Sequence, residues 1–101
     1  MSYDIYARCK HCGQTAADWS PTYNYSKMFK ALGIYPHDFD GGPAVEYAVA
    51  LQGALAKLKS DFDAYEALGA DNGWGTAQQL LDCLPEVIAQ FERARECEMA
   101  S

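Results

Sequence analysis

Tyr3-Asp4-Ile5-Tyr6-Ala7-Arg8-Cys9-Lys10-His11-Cys12-Gly13 is the stretch on which the fold class turns. Tyr3, Ile5, Ala7 and Cys9 alternate with Asp4, Tyr6 and Arg8, the period of two that a strand with one buried face requires. Residues 3–9 are therefore predicted as a strand. Cys9 to Gly13 reads as a tight turn, because glycine takes the positive φ that such turns need without steric cost. A second strand over residues 14–20 completes an N-terminal hairpin. It ends at Ser20-Pro21, since the residue before a proline is pushed to extended geometry and proline donates nothing to a ladder.

The rest of the chain has helical period. Asn24 or Ser26 is placed to cap a short helix over Lys27 to Leu32, with Met28, Phe29 and Leu32 on one face and Gly33 as its stop. Ile34 to Gly42 reads as a loop, and Pro43 suits a first helical position, where its missing N–H has no intrahelical partner anyway. Ala44, Ala48, Leu51, Leu55 and Leu58 then recur at three and four, an amphipathic helix of about four turns. Ser60 can recap a further turn or two carrying Phe62, Tyr65 and Leu68, with Gly69 ending it. Thr76 caps the last long helix, whose stripe Ala77, Leu80, Leu81, Leu84, Val87, Ile88, Phe91 is the strongest periodicity in the chain. Pro85, on its polar side, is expected to kink or split it near residue 84. Residues 96–101 read either as a frayed helical end or as a short strand returning to the hairpin. The expected fold is thus one α+β domain. A small N-terminal β-hairpin (residues 1–26), which a C-terminal strand can join, packs on three to four α-helices (residues 27–98).

The chain has 101 residues, half of them hydrophobic and 22% charged. That length builds one core and rarely two, which excludes a two-domain enzyme, and the composition lies far from that of disordered chains. No run approaches the roughly 18 to 20 consecutive apolar residues of a membrane span. Met1-Ser2-Tyr3-Asp4 lacks the basic region and apolar run of a signal peptide, so a cytoplasmic location without a membrane partner is expected. A net charge of −6 argues against a surface for duplex nucleic acid. Residues 1–35 are net +2 and the remainder net −8. The acids Glu46, Asp61, Asp63, Glu66, Asp82, Glu86 and Glu92 fall mostly on polar helix faces. They solubilise the chain or meet a partner with a basic surface.

Cys9-x-x-Cys12 is the most chemically suggestive motif. Two thiolates two residues apart on a turn can chelate one Zn²⁺, but a structural site needs four ligands. Cys97 is a candidate third ligand if the C-terminal segment pairs with the hairpin, and His37, Cys83 and His11 are more distant ones. A redox pair of the thioredoxin kind would need the first cysteine at a helix N-terminus, which Gly13-Gln14-Thr15 does not start. The remaining reading is reduced structural thiols, as a reducing compartment favours. Thr22-Tyr23-Asn24-Tyr25-Ser26 has the composition of a polar contact surface and equally that of a buried capping corner. Trp74, between Gly73 and Gly75, either meets a ligand or plugs the core. His37-Asp38-Phe39-Asp40-Gly41 puts an imidazole near two carboxylates with no nucleophile placed by spacing, and reads as a solvated loop.

Three stretches, Met1 to Tyr6, Thr22 to Gly33 and Asn72 to Thr76, carry a resemblance. The chain resembles a family of small proteins from tailed phages and bacterial genomes. These open with a Met-Ser-Tyr-Asp-like strand, carry a Thr-Tyr-Asn-Tyr motif before Met-Phe-x-x-Leu-Gly, and share an Asn-Gly-Trp-Gly-Thr turn. The resemblance implies a phage or prophage accessory protein, and implies neither reaction nor ligand. The function expected first is a non-enzymatic interaction protein, an inhibitor or modulator of a host protein with a basic surface. An alternative is a small-ligand, nucleotide-like binder in which Tyr23, Asn24, Tyr25 and Trp74 form a stacking pocket, at about 1–3 kcal/mol per stacked base. A zinc-organised structural module is the third reading. No catalytic residues assemble by spacing.

Overall fold

A computed structural model describes residues 3–9, 13–21, 25–68, 76–94 and 97–100. The hairpin forms as its alternation demands: β1 is Ile5–Cys9 and β2 is Thr15–Trp19, antiparallel, with Ile5 opposite Trp19 and Ala7 opposite Ala17. A bulge between Ala7 and Arg8 shifts the register toward the turn, where Gly13 takes φ 73° and donates its N–H to the Cys9 carbonyl at 2.9 Å. Of the two readings of residues 96–101, the strand is the observed one. β3, Cys97–Ala100, pairs antiparallel with β1 on the side away from β2 and gives the order β2-β1-β3. Its outer edge is covered in turn. Gly41 N–H donates to the Met99 carbonyl at 2.7 Å, Met99 N–H donates to Gly42 at 2.8 Å, and Pro43 bridges to Glu98. An edge strand covered in this way cannot template pairing with another chain.

Four helices complete the α+β fold: α1 Ser26–Leu32, α2 Ala44–Ser60, α3 Phe62–Glu66 and α4 Ala77–Arg93. Gly33, at φ 77°, closes α1 as a left-handed C-cap. Several local expectations shift. Ser26 is the first residue of α1 rather than its cap, and its hydroxyl shares a 2.5 Å hydrogen bond with Tyr3 OH. The segment after α1 contains a 3₁₀ turn, Pro36–Asp38. Pro43 is the N-cap of α2, not its first residue, because its ψ of 139° is extended. Ser60 ends α2, its hydroxyl donating to the Lys57 carbonyl, and Asp61 takes the cap position of α3. Gly69, Ala70 and the turn around Trp74 lie outside the described residues.

Thr76 caps α4 as its sequence suggests: its hydroxyl accepts from Gln79 N–H at 3.2 Å while the Gln79 side chain accepts from Thr76 N–H. Pro85 does not split the helix, which runs unbroken over 17 residues. The bond lost at Pro85 falls on the solvent side, while Leu80, Leu84, Val87, Ile88 and Phe91 are buried on the other. That buried face holds the helix together across the missing donor.

All layers share one apolar core. The sheet contributes Ile5, Ala7, Ala17, Cys97 and Met99 from its inner face, and Asp4, Arg8, Asp18 and Glu98 are exposed on the other. α2 and α4 pack against each other, α4 over β2 and α2 beside β3. Tyr47, fully buried, fixes their contact: its ring meets Phe39 and Phe91 edge-on, and its hydroxyl donates to the Ile34 carbonyl at 3.1 Å. Tyr47 and Ala54 join the buried stripe of α2, and Leu55 is only half-buried. Among the described residues no helix is long and apolar enough to cross a membrane.

Candidate functional site

The aromatic corner is built around Phe29 of α1. Tyr25 stacks on it at 5.3 Å with 16° between planes, Trp19 meets it at 5.6 Å and Tyr3 at 5.9 Å. Tyr25 retains only 7% of its surface, so its ring face belongs to the core and is not offered to a ligand. Burial pushes its phenol up to about 12, with the nearby Cys83 adding to the effect. Tyr23 and Asn24, expected beside it in a binding surface, lie outside the described residues, as does Trp74. Of the four residues expected to contact a ligand or partner, the structure places Tyr25 alone, and places it inward.

The thiols are distributed differently. β3 brings Cys97 directly opposite Cys9, so the C-terminal segment does return to the hairpin and sets a second described thiol beside Cys9. Cys9 is half-buried at the end of β1 and Cys97 is buried. Cys12 and His11 lie outside the described residues. His37 goes elsewhere: its ring packs against Tyr3 at 6.1 Å and Tyr35 at 5.4 Å, at the other end of β1. Six residues of strand separate Tyr3 from Cys9, about 20 Å. Cys83 sits in α4, its thiol donating to the Leu80 carbonyl at 3.4 Å, and burial pushes it up to about 11. Among the described residues no three His, Cys, Asp or Glu side chains gather as a metal site. Of the cysteines and histidines expected to hold Zn²⁺, the described residues bring only Cys9 and Cys97 together.

Two surfaces remain. On the outer sheet face, Tyr6, Arg8, Asp40, Gly41, Glu98 and Met99 line a shallow open concavity of about 190 Å³. Arg8 lies 5.6 Å over the Tyr6 ring and opposite Glu98 in the ladder, so its charge already has local partners. The other surface is the solvent side of α2. Val45 is 37% exposed and Val49 61%, the two exposed large hydrophobics among the described residues. They lie four residues apart, one turn along the same face, which continues through the exposed Gly53 and Ala56. A Cβ placed on Gly53 would meet nothing within 4 Å, so that glycine is not demanded by packing inside the chain. The apolar stripe read from sequence covered the inward face of α2; the valines outside that period were the signal for this surface.

Comparison with protein families, with curated proteins and with solved structures finds no match to this chain.

Proposed function

We propose that this chain is a non-enzymatic interaction protein that docks on another protein through the solvent face of α2. The observation that carries the reading is the exposure of Val45 and Val49 on a helix whose opposite face already fills the core. Full burial of a valine is worth roughly 1.5–3 kcal/mol, so a partner covering both gains a useful anchor. Gly53 and Ala56 leave the rest of that face low enough for close approach of a second backbone.

The charge of α2 itself is mixed, Glu46 beside the valines and Lys57 and Lys59 in its last turn, and the acidic excess comes from around it, with Asp61 and Asp63 beyond its end and Asp82 and Glu86 exposed on α4. The complementary partner presents Lys and Arg, and salt weakens the association. The resemblance carried by Thr22 to Gly33 and Asn72 to Thr76 supports a phage or prophage setting, with a host protein as that partner.

The test immobilises the chain and challenges it with bacterial lysate at low and high salt, beside a Val45→Asp/Val49→Asp variant of matched thermal stability. Wild type is expected to retain a basic protein that salt releases and the variant does not bind. Equal recovery by the variant overturns the α2 surface. Absence of any specific recovery overturns the function.

A further inference from the structure

We propose that Cys9 and Cys97 form a redox-modifiable pair that reacts with low-molecular-weight disulfides to join the first and last strands of the sheet. The inference stands apart from the docking surface and does not rest on it.

The geometry comes from the ladder. Cys9 and Cys97 are register partners of antiparallel strands, so their side chains leave the sheet on the same face. Met99, two residues on in β3, turns its N–H and carbonyl away from β1 toward Gly42 and Gly41, so the alternation of the ladder turns the Cys97 backbone away from Cys9 as well. Cys9 N–H donates to the Gln14 carbonyl at 2.9 Å, the Cys9 carbonyl accepts from Gly13, and Cys97 N–H donates to the Ala94 carbonyl at 2.8 Å. They are therefore a non-hydrogen-bonded pair, the class with Cα atoms about 4.5 Å apart, inside the 4.4–6.8 Å range a disulfide spans. Both are present as thiols.

Their unequal exposure sets the order of reaction. Cys9, half-buried at the strand end, is open to attack a small disulfide, while Cys97 is 6% exposed and reached only from within. Cys9 loses its proton to solvent, and its sulfur attacks one sulfur of R–S–S–R, forming Cys9–S–S–R and releasing R–S⁻. Cys97, deprotonated in turn, attacks the Cys9 sulfur and releases the second R–S⁻, and both leaving thiolates take up protons. Two protein thiols are oxidised and one disulfide is reduced to two thiols. Cys83 stands outside this pair, because it lies on α4 and has no place in the β1–β3 ladder.

Closure acts on more than two residues. β3 holds Gly41 and Gly42 through Met99, and α2 begins at Ala44. A covalent tie at Cys97 fixes the strand that supports the start of the docking helix.

The experiment incubates the reduced full chain with oxidised glutathione, counts remaining thiols by maleimide labelling, and maps the cross-link by digestion and mass spectrometry. Wild type and Cys12→Ser are both expected to lose two thiols, with a Cys9–Cys97 peptide pair and no added glutathione. The oxidised Cys12→Ser variant should melt roughly 10 °C higher than its reduced form. Cys97→Ser should stop at one glutathione on Cys9. The proposal is overturned if wild type yields only a Cys9–Cys12 link, or if Cys12→Ser ends glutathionylated without a cross-link. Stoichiometric zinc that shields the thiols from oxidation overturns it as well.

Discussion

Three side chains buried in neutral form give the molecule an alkaline limit. Burial, partly offset by a hydrogen bond from its own backbone and reinforced by Asp82 and Glu86, pushes the Cys83 thiol up from 9.0 to about 11. Burial pushes the Tyr25 phenol up from 10.0 to about 12 and raises Tyr47 further still. Each group holds its proton to higher pH in the folded chain than in the unfolded one. The unfolded state therefore binds fewer protons above pH 9, and stability falls as pH rises. Its contribution is fully present below pH 9 and is lost as pH climbs through 11 and 12. Thermal melts taken between about pH 8 and pH 12 should show the melting temperature falling from pH 9 upward. Cys83→Ala should delay the onset toward pH 10, where the tyrosines begin. A flat profile to pH 12 would show that these groups are solvated in the folded state. The same residues mark where local sequence reading divides. Tyr25 fitted an open contact surface and a buried corner equally, because a tyrosine ring serves both, and only the placement of Phe29 beneath it decides.

At the scale of elements, signals complete within one turn were legible. The Thr76 capping box needs only Gln79, three residues on, and the stripe of α4 from Ala77 to Phe91 is written in its own period. That Pro85 leaves α4 unsplit was not, because the apolar face that holds α4 together acts across the whole helix, whereas proline propensity is local. The outer face of α2 was missed for a related reason: the inward period of Ala48, Leu51 and Leu58 captured the reading and left Val49 unassigned. Gly53 lets that face be tested without harming the fold. A glycine inside a helix costs about 0.5–1 kcal/mol relative to alanine, and the added methyl meets nothing within 4 Å. Gly53→Ala should therefore stabilise the chain by about 0.5–1 kcal/mol in urea denaturation. It should also weaken capture of the partner, since a partner backbone approaching there meets the new methyl. A stabilised variant that binds as well as wild type would move the contact away from Gly53.

Across the whole molecule, the core joins the two ends of the chain: Ile5 and Ala7 of β1 pack with Met99 and Cys97 of β3. That pairing was open in the sequence because residues 96–101 are too short to carry a period of their own, and the strand they meet is some ninety residues away in the sequence. The pairing of Cys9 with Cys97 was hidden for the same reason, although the turn that holds Cys9 was plain. β3 thus works on two sides, completing the ladder with β1 and holding Gly41 and Gly42 through the Met99 backbone. Two variants separate its packing from its pairing. Met99→Ala keeps every backbone bond and empties a site that is 1% exposed, so it should cost roughly 2–4 kcal/mol in chemical denaturation and leave a cooperative transition. A chain ending at Arg95 loses the packing, the ladder and the cover over residues 41–43 together, leaving one side of β1 as an open edge over an exposed core. Open edges recruit other chains, so this truncation should lose its sharp melt and associate, as read by light scattering. If instead it melts as sharply as Met99→Ala and remains monomeric, β3 is an appendage and the core is closed without it.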